Sequence, residues 1–446
     1  MNNNNIQKIG LFTAIAYVIA NMVGTGVFTS LGFQLAGGVT NIFSILMLWL
    51  FGGIIAFIGA QVYGELGSVM PRSGGEYNFL SNLYHPSVGF MSGFFSMFVG
   101  FAAPIALAAI ALSSYFANIY NGINPKIVAA AVIIFISFVH AVGIKSGSIF
   151  QLIFTILKLL LIFVFIIVGL FFAPEHQEIS ILPSKISWEQ IISSGFAVSL
   201  IYVYYSYSGW NASAYFVSEL KNPTKNLPRS LIIGTVVVIV LYLFLNLTFL
   251  YVSPISDLKG KLDVGAVAAT SIFGKQGGII ISGIISILLI STISSMVFVG
   301  PRVIQTIGED YKSLSFMGKK TQNGVPLIAI LIQSTISLVL LFTSTFESLL
   351  SYLGIAMNIF ALLTVIAVFV HRRKFPKIVR PYKTWAYPVT PIVFAIFVLW
   401  NMFYMFKEKT LESLIAIATL IFAFGIWALV NIPNFKKKLP PPPPSK

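Results

Sequence analysis

The sequence contains no cysteine and few charged residues, and both shortages narrow the classes of protein that it can encode. Without cysteine the chain forms no disulfide bond and has no thiolate nucleophile or thiolate metal ligand. Only 9% of its 446 residues are charged, whereas a soluble domain has about 25%. An ordinary soluble globular protein is therefore excluded. The four histidines are scattered without the spacing of metal ligands, so we expect no metal and no other cofactor.

Apolar sequence is abundant and makes up 57% of the chain. A membrane-spanning helix needs about 20 predominantly apolar residues in a row, and strand-like alternation is sustained nowhere, which favours a helical bundle. The pattern therefore predicts an all-α integral membrane protein with twelve transmembrane helices. The predicted spans are residues 10–37, 42–67, 87–119, 126–142, 147–172, 192–219, 229–252, 277–307, 326–344, 348–370, 386–406 and 411–431.

The positions of the basic residues predict how these spans are oriented. A net charge of +15 would suggest a nucleic-acid partner in a soluble protein, but in a membrane protein it must first be sorted by loop. With the N-terminus inside, 20 of the 28 Lys and Arg residues fall in cytoplasmic segments, 7 in outer loops and one, Lys158, inside a span. We therefore expect a multi-pass protein of the cytoplasmic membrane with both termini cytoplasmic, surrounded by lipid and without a nucleic-acid partner.

Two predicted spans contain small and polar residues that would interrupt a helix at similar depth. In the first span Gly24, Thr25 and Gly26 lie about 14 residues, roughly 21 Å, from its start. In the sixth span a similar cluster surrounds Ser208 and Gly209, 185 residues after Gly24. Such a matched pair predicts an inverted-repeat transporter, because unwound backbone within a membrane is tolerated where it lines a site. A close contact between helices is the alternative interpretation of the first cluster.

Five motifs are distributed along the chain: GTGVF at residues 24–28, PRSGGEY at 71–77, YSGWN at 207–211, ELKNP at 219–223 followed by NLP at 226–228, and GPRV at 300–303. Each is unspecific alone, but the ordered set is specific and covers nearly the whole chain. Together the motifs resemble the amino acid-polyamine-organocation superfamily of permeases. The SGWN sequence at 208–211 is most similar to the L-type amino acid transporter branch and its bacterial relatives.

The resemblance implies a leucine-transporter-type fold with alternating access. Two inverted repeats of five helices, at residues 10–172 and 192–371, would be followed by two helices at 386–431. A cytoplasmic N-terminus at 1–9 and a basic, proline-rich tail at 432–446, expected to form polyproline II structure, would flank them. Animal L-type transporters are tied to a glycoprotein by a disulfide. Because this chain lacks cysteine, we expect a stand-alone bacterial protein without such a subunit, in an oligomeric state that the sequence leaves open.

The resemblance also implies a substrate site at the first interruption. The backbone amides of Thr25 and Gly26 would hold the carboxylate of an amino acid, and Val23 and Gly24 would complete the unwound turn. Free N–H groups at the start of a half-helix attract a carboxylate, and free C=O groups at the end of the other half attract an ammonium group, so the arrangement suits a zwitterion.

The sixth span would supply the other side of that site. Carbonyl groups near Met22, Tyr205 and Ser208, beside Gly209, would accept hydrogen bonds from the substrate ammonium group. Tyr205 lies where the family places an aromatic lid, although packing is the alternative, since the span holds four tyrosines. Asn211 lies where a side-chain amide steadies the unwound segment, with a simple interhelical hydrogen bond as the alternative.

Lys158 is predicted near the middle of the fifth span, where a lysine costs about 2.5 to 3.5 kcal/mol to insert. Gln151, Thr155 and Lys158 fall on one helical face, which must point into the bundle. The resemblance implies that this ammonium group replaces a sodium ion and bridges first-span carbonyls to hydroxyls of span eight. Ser294 and Ser295 are the preferred partners, because they lie just before the GPRV motif, among the candidates Ser291, Thr292, Ser294 and Ser295. Proton exchange at Lys158 and a fixed charge both stay open.

No Asp or Glu lies in the predicted pocket segments, which predicts a neutral L-amino acid carried without sodium by uniport, exchange or proton symport. A cationic amino acid or polyamine carrier is the alternative within the family. An intramembrane enzyme or an ion channel is disfavoured, because the chain shows neither a catalytic constellation nor a ring of charge. Four acids near the cytoplasmic ends of spans are interpreted as helix-end or ion-pair residues: Glu65, Glu76, Glu219 and Asp310. Glu219 could form an inner gate with Arg72 or Arg229.

Overall fold

The computed structural model describes residues 8–408 and 410–431, and the regular structure of this part is helical. An isolated parallel bridge joins Ile9 to Leu220. Residues 1–7 and the predicted tail at 432–446 lie outside the described residues. The α-helices are α1 Leu11–Met22, α2 Thr25–Ala36, α3 Ile42–Val69, α4 Glu76–Leu83, α5 Pro86–Phe95, α6 Ala103–Ala117, α7 Pro125–Val142, α8 Ile144–Phe171, α9 Lys185–Ile191, α10 Ser194–Ser206, α11 Pro223–Val252, α12 Ile255–Leu258, α13 Val264–Val299, α14 Pro301–Asp310, α15 Leu327–Thr343, α16 Phe346–Lys374, α17 Val389–Glu408 and α18 Thr410–Asn431.

Helical structure lies at each of the twelve positions where a span is predicted. Within the described residues, nine helices or joined helices are long and apolar enough to cross a membrane, and ten if the bent pair α9 and α10 is counted as one span. The prediction of an all-helical, multi-pass membrane protein is therefore confirmed. The count of twelve and the arrangement in two inverted repeats stay predictions.

Two spans begin earlier than the apolar pattern indicates. The helix of the seventh span starts at Pro223, where proline is tolerated because the first-turn N–H has no helical acceptor. The helix of the eighth starts at Val264 and runs through a kink at Gly274, whose φ is 70°. Lys275, one of the seven basic residues assigned to outer loops, therefore lies in a helix and not in a loop, while its position on the outer side stays a prediction. The stretch Gly274-Lys275-Gln276 interrupts the apolar run, so a search for apolar runs placed the start of this helix after it.

The predicted interruptions of the first and sixth spans are present and touch each other. The first lies between α1, which ends at Met22, and α2, which begins at Thr25. The second follows α10, and the chain continues as a 3₁₀ helix over Ala212–Glu219. Gly209 has a φ of 97°, and a Cβ there would come within 2.7 Å of Asn21. A Cβ on Gly26 would overlap Ser206, so the close-contact interpretation of the first glycines also holds.

The interrupted segments lie inside a cage of long helices. Helix α11 packs along α3 and against α1, while α13 packs against α6, α7 and α8. The polar ends of several helices meet at one end of this bundle. We call this end the basic face and define it by its ion pairs, Arg72 with Asp310, Arg302 with Glu219 and Arg372 with Glu65.

Backbone hydrogen bonds also close the basic face. The Ile9 amide donates to the Glu219 carbonyl at 2.8 Å, and the Lys221 amide donates to the Ile9 carbonyl at 2.9 Å. The predicted pairing of Glu219 with Arg72 or Arg229 is wrong, because the 3₁₀ helix ends beside the start of α14, where Arg302 lies.

Candidate functional site

A small cavity lies between the two interruptions. Thr25 and Gly26 open α2, so their amides have no acceptor one turn earlier in that helix. The Tyr205 hydroxyl lies 3.1 Å from the Thr25 hydroxyl and so links the two broken spans across the cavity. The cavity is lined by Asn21, Met22, Gly24, Thr25, Gly26, Pro104, Ala108, Tyr205, Ser206, Ser208, Thr292 and Met296.

A larger cavity adjoins the small one. The two share Asn21, Pro104, Ser208 and Met296 in their walls. The larger cavity also reaches Glu76 on α4, four residues after Arg72 of the basic face. Further lining residues include Phe95, Ser96, Phe101, Tyr204, Gly209, Trp210, Asn211, Tyr215, Met357 and Phe360.

The predicted substrate residues are therefore divided between two adjoining cavities. Met22, Gly24, Thr25, Gly26 and Tyr205 surround the small one, Gly209 and Asn211 the larger one, and Ser208 belongs to both. Val23 is buried and lines neither cavity; its carbonyl instead faces Lys158.

Lys158 is buried on α8 with 1% of its surface exposed. Its ammonium group donates to the Val23 carbonyl at 2.6 Å and to the Thr292 hydroxyl at 2.8 Å. The Thr292 hydroxyl in turn donates to the same carbonyl at 2.9 Å. The three groups form a closed triangle that ties the first interruption to α8 and α13.

The preference for Ser294 and Ser295 as the partners of Lys158 is wrong. Ser294 lies 2.8 Å from the His140 ring on α7, and Ser295 contacts Asn21 and the Tyr17 carbonyl. Successive residues of a helix are rotated by about 100°, so a shift of two or three positions turns a side chain to another neighbour. The Gln151 and Thr155 side chains lie on the inner face of α8 as expected, and Gln151 donates to Ser291 at 3.1 Å.

Two residues that the sequence does not single out as site residues are part of this region. The Tyr242 hydroxyl on α11 lies 2.5 Å from the Met22 carbonyl and 3.0 Å from the Ser206 carbonyl, the last residues of α1 and α10. No spacing signal distinguishes it from other aromatic residues of its span. Glu76 lines the larger cavity and contacts Asn211 instead of forming the ion pair that its position in a loop suggested.

Comparison with known proteins identifies the family of this chain. The family model described as amino acid permease matches residues 9–427. The chain belongs to the amino acid permease family. It is thus a transporter of amino acids and not an enzyme, as predicted, and the superfamily and branch named from the motifs are confirmed.

Several curated proteins are similar to this permease over most of its length. The serine/threonine exchanger SteT of Bacillus subtilis (strain 168) is 29% identical, with 88% of this chain and 89% of SteT covered. The b(0,+)-type amino acid transporter 1 of Mus musculus is 28% identical, with 90% and 83% covered. The large neutral amino acids transporter small subunit 2 of Mus musculus is 27% identical, with 89% and 77% covered.

Proposed function

We propose that this permease moves neutral L-amino acids across the cell membrane by alternating access and without sodium. The observation that carries the proposal is the small cavity between the two interrupted spans. Its described lining residues include hydroxyls, amides and apolar groups but no carboxylate, which suits a zwitterion with an uncharged side chain. Exchange and proton symport are both compatible with this site.

The α-amino and α-carboxyl groups of the substrate have complementary partners in this cavity. The amides of Thr25 and Gly26 at the start of α2 attract a carboxylate, helped by the helix dipole. Carbonyl groups at the ends of α1 and α10, near Met22, Tyr205 and Ser208, would accept from the ammonium group. Tyr205, which already contacts Thr25, is placed to cover the bound molecule.

Lys158 supports the proposal that sodium is not required. Its ammonium group contacts a carbonyl of the first interruption and a hydroxyl of α13. Oxygen ligands of this kind would also hold a sodium ion. The Lys158 ammonium group would therefore occupy the position of that ion permanently. In this proposal Lys158 and Thr292 form the coupling site, with Thr292 replacing Ser294 and Ser295 of the original hypothesis.

The overall architecture proposed here has twelve spans in two inverted repeats, at residues 10–172 and 192–371, and two C-terminal helices at 386–431. Both termini lie in the cytoplasm, with the basic face on that side. The absence of cysteine from this sequence leaves no residue for a disulfide to an accessory subunit. Serine, threonine and large neutral amino acids, which appear in the names of two relatives, are the first substrates to test.

Transport by the purified protein in liposomes tests the proposal directly. Uptake of radiolabelled serine, threonine and leucine is measured while internal amino acid, the pH gradient and the sodium gradient are varied one at a time. We expect uptake that is unchanged when sodium is replaced by choline. Sodium dependence would contradict the role of Lys158, and no uptake of any neutral amino acid would contradict the substrate class.

A cationic amino acid or polyamine is the second candidate substrate, because one carboxyl group, Glu76, does line the larger cavity. A cationic side chain that extends from the small cavity would reach toward it. Competition by arginine and putrescine distinguishes the two candidates. A neutral-selective carrier leaves serine uptake unaffected by either compound, whereas the second candidate requires that they compete and that Glu76→Gln abolish the competition.

A further inference from the structure

Glu76 is a buried carboxyl group at the start of α4, with 8% of the residue exposed. Its Oε1 atom accepts a hydrogen bond from the Tyr63 hydroxyl at 2.5 Å and another from the Asn211 side-chain amide at 3.3 Å. The same side chain forms part of the wall of the larger cavity. The carboxyl group is therefore enclosed by protein but adjoins the space through which substrate would leave.

The acids that define the basic face each have a cationic partner, and Glu76 differs from them. Glu65 pairs with Arg372, Glu219 with Arg302 and Asp310 with Arg72. Among the described residues no Lys, Arg or His forms an ion pair with Glu76. The groups that face it from the surrounding elements are neutral; they are Tyr63 on α3, Ser92 on α5, Tyr204 on α10, Asn211 in the interrupted segment and Tyr215 on the 3₁₀ helix.

These surroundings favour the protonated form of the carboxyl group. Burial without a neighbouring cation disfavours the carboxylate and raises the pKa of Glu76 to about 7, although hydrogen bonds from Tyr63 and Asn211 oppose the shift. At that value the group gains or loses a proton within the pH range of a cell. A buried carboxylate without a cationic partner destabilises the folded protein, and protonation removes that charge.

Both hydrogen-bond partners of Glu76 are in contact with the interrupted segment of the sixth span. Asn211 belongs to that segment, and the Tyr63 ring packs edge-on against Trp210 at 4.6 Å between ring centroids. The carboxylate form can only accept hydrogen bonds, whereas the protonated form must also donate one. A change of protonation therefore changes the hydrogen bonds of the segment that carries Gly209, which packs against Asn21 in the first interruption.

We propose that Glu76 is a proton-binding site of the transport cycle, which takes up and releases a proton through the larger cavity as the interrupted segment of the sixth span changes position. The proposal rests on the proposed amino acid transport and makes the proton its coupling ion. Protonation of the carboxylate forms one O–H bond and needs no other reactant. Lys158 then serves as a fixed charge behind the first interruption, where it contacts the Val23 carbonyl, while Glu76 carries the titration.

The test combines transport with a direct readout of protonation. Serine exchange is measured in liposomes from about pH 6 to about pH 8, a range over which the charged fraction of a group with a pKa of 7 changes about tenfold. We expect the wild-type rate to vary by up to this factor, and the Glu76→Gln rate to be flat. Infrared titration of the purified wild-type protein should show a protonated-carboxyl band that disappears as pH rises and is missing from Glu76→Gln.

Two further variants make the result specific. Glu189→Gln makes the same chemical change on α9, where the carboxylate is exposed beside Lys185, and should keep the wild-type pH profile. Tyr63→Phe removes a donor to the carboxylate, so it should move the midpoint to higher pH and keeps the test available if Glu76→Gln does not fold.

The proposal is overturned if Glu76→Gln keeps the wild-type pH profile, or if the infrared band of Glu76 does not titrate in this range. A wild-type exchange rate that is independent of pH overturns it too. If no neutral amino acid is transported, the proposed function fails instead, and the infrared titration still decides whether Glu76 binds a proton.

Discussion

The hydroxyl of Thr292 is the most informative atom to remove from the Lys158 triangle. Thr292→Val preserves the shape of the side chain but deletes the acceptor that lies 2.8 Å from the Lys158 ammonium group and the donor that lies 2.9 Å from the Val23 carbonyl. Lys158 keeps its bond to Val23 at 2.6 Å, so the charge is not left without a partner. The substitution therefore weakens the tie between α13 and the first interruption without unpairing the lysine.

The size of the effect follows from the hydrogen bond that is lost. A hydrogen bond to a charged group contributes about 1.5 to 3 kcal/mol. With about 2 kcal/mol lost in the state that holds substrate, kcat/KM for serine exchange should fall about 30-fold, since about 1.4 kcal/mol corresponds to a factor of ten. The assay is exchange of radiolabelled serine by the purified variant in liposomes, with thermal unfolding in detergent to confirm that the protein is folded.

A buried threonine on α11 provides the matched control. Thr235 is fully buried, and its hydroxyl donates to the Leu231 carbonyl of its own helix at 2.7 Å. Thr235→Val should therefore change kcat/KM by less than twofold. The reasoning is refuted if Thr292→Val also stays within twofold of wild type. It is refuted as well if Ser294→Ala reduces exchange about 30-fold while Thr292→Val does not.

Three other substitutions have distinct expected outcomes. Gly209→Ala should abolish exchange, measured in liposomes, because its Cβ would meet Asn21 at 2.7 Å and its φ of 97° is unfavourable for alanine; wild-type exchange would contradict this contact. Tyr242→Phe removes the hydroxyl shared by two carbonyls and should cost about 1 to 3 kcal/mol, seen as a 5- to 150-fold lower kcat/KM. Glu219→Ala leaves Arg302 buried without its partner and should lower the free energy of unfolding by about 3 to 5 kcal/mol, so an unchanged unfolding midpoint would rule the pair out as a stabilising contact.

The parts of the molecule that local sequence determines could be predicted. Apolar runs mark where helices cross the membrane, and the clusters around Gly24 and Gly209 mark where two of them are interrupted, because helix is weak at glycine and small polar residues. The buried position of Lys158 also follows from its depth in an apolar run. Each of these features depends on a few neighbouring residues.

The predictions that were wrong concern contacts that depend on how helices distant in sequence are rotated against each other. The partner of Lys158 was misassigned because the rotation of α13 is set by its packing on α6, α7 and α8. The kink at Gly274, within α13 and before Thr292, also changes this rotation. The surroundings of Glu76 were misread for a similar reason. Its position suggests a helix-end or ion-pair residue, but α4 packs against α5 and α16, so the side chain is enclosed.

The two backbone hydrogen bonds of Ile9 have a consequence for how the basic face can open. They join the start of α1 to the end of the 3₁₀ helix, which are about 210 residues apart in the chain. Any movement that separates these two segments must break both bonds at once and hydrate the freed groups, while a movement that preserves them must carry both broken spans as one body. Hydrogen exchange at the Ile9 and Lys221 amides therefore distinguishes a hinge within the first span from a rocking of the whole inner bundle.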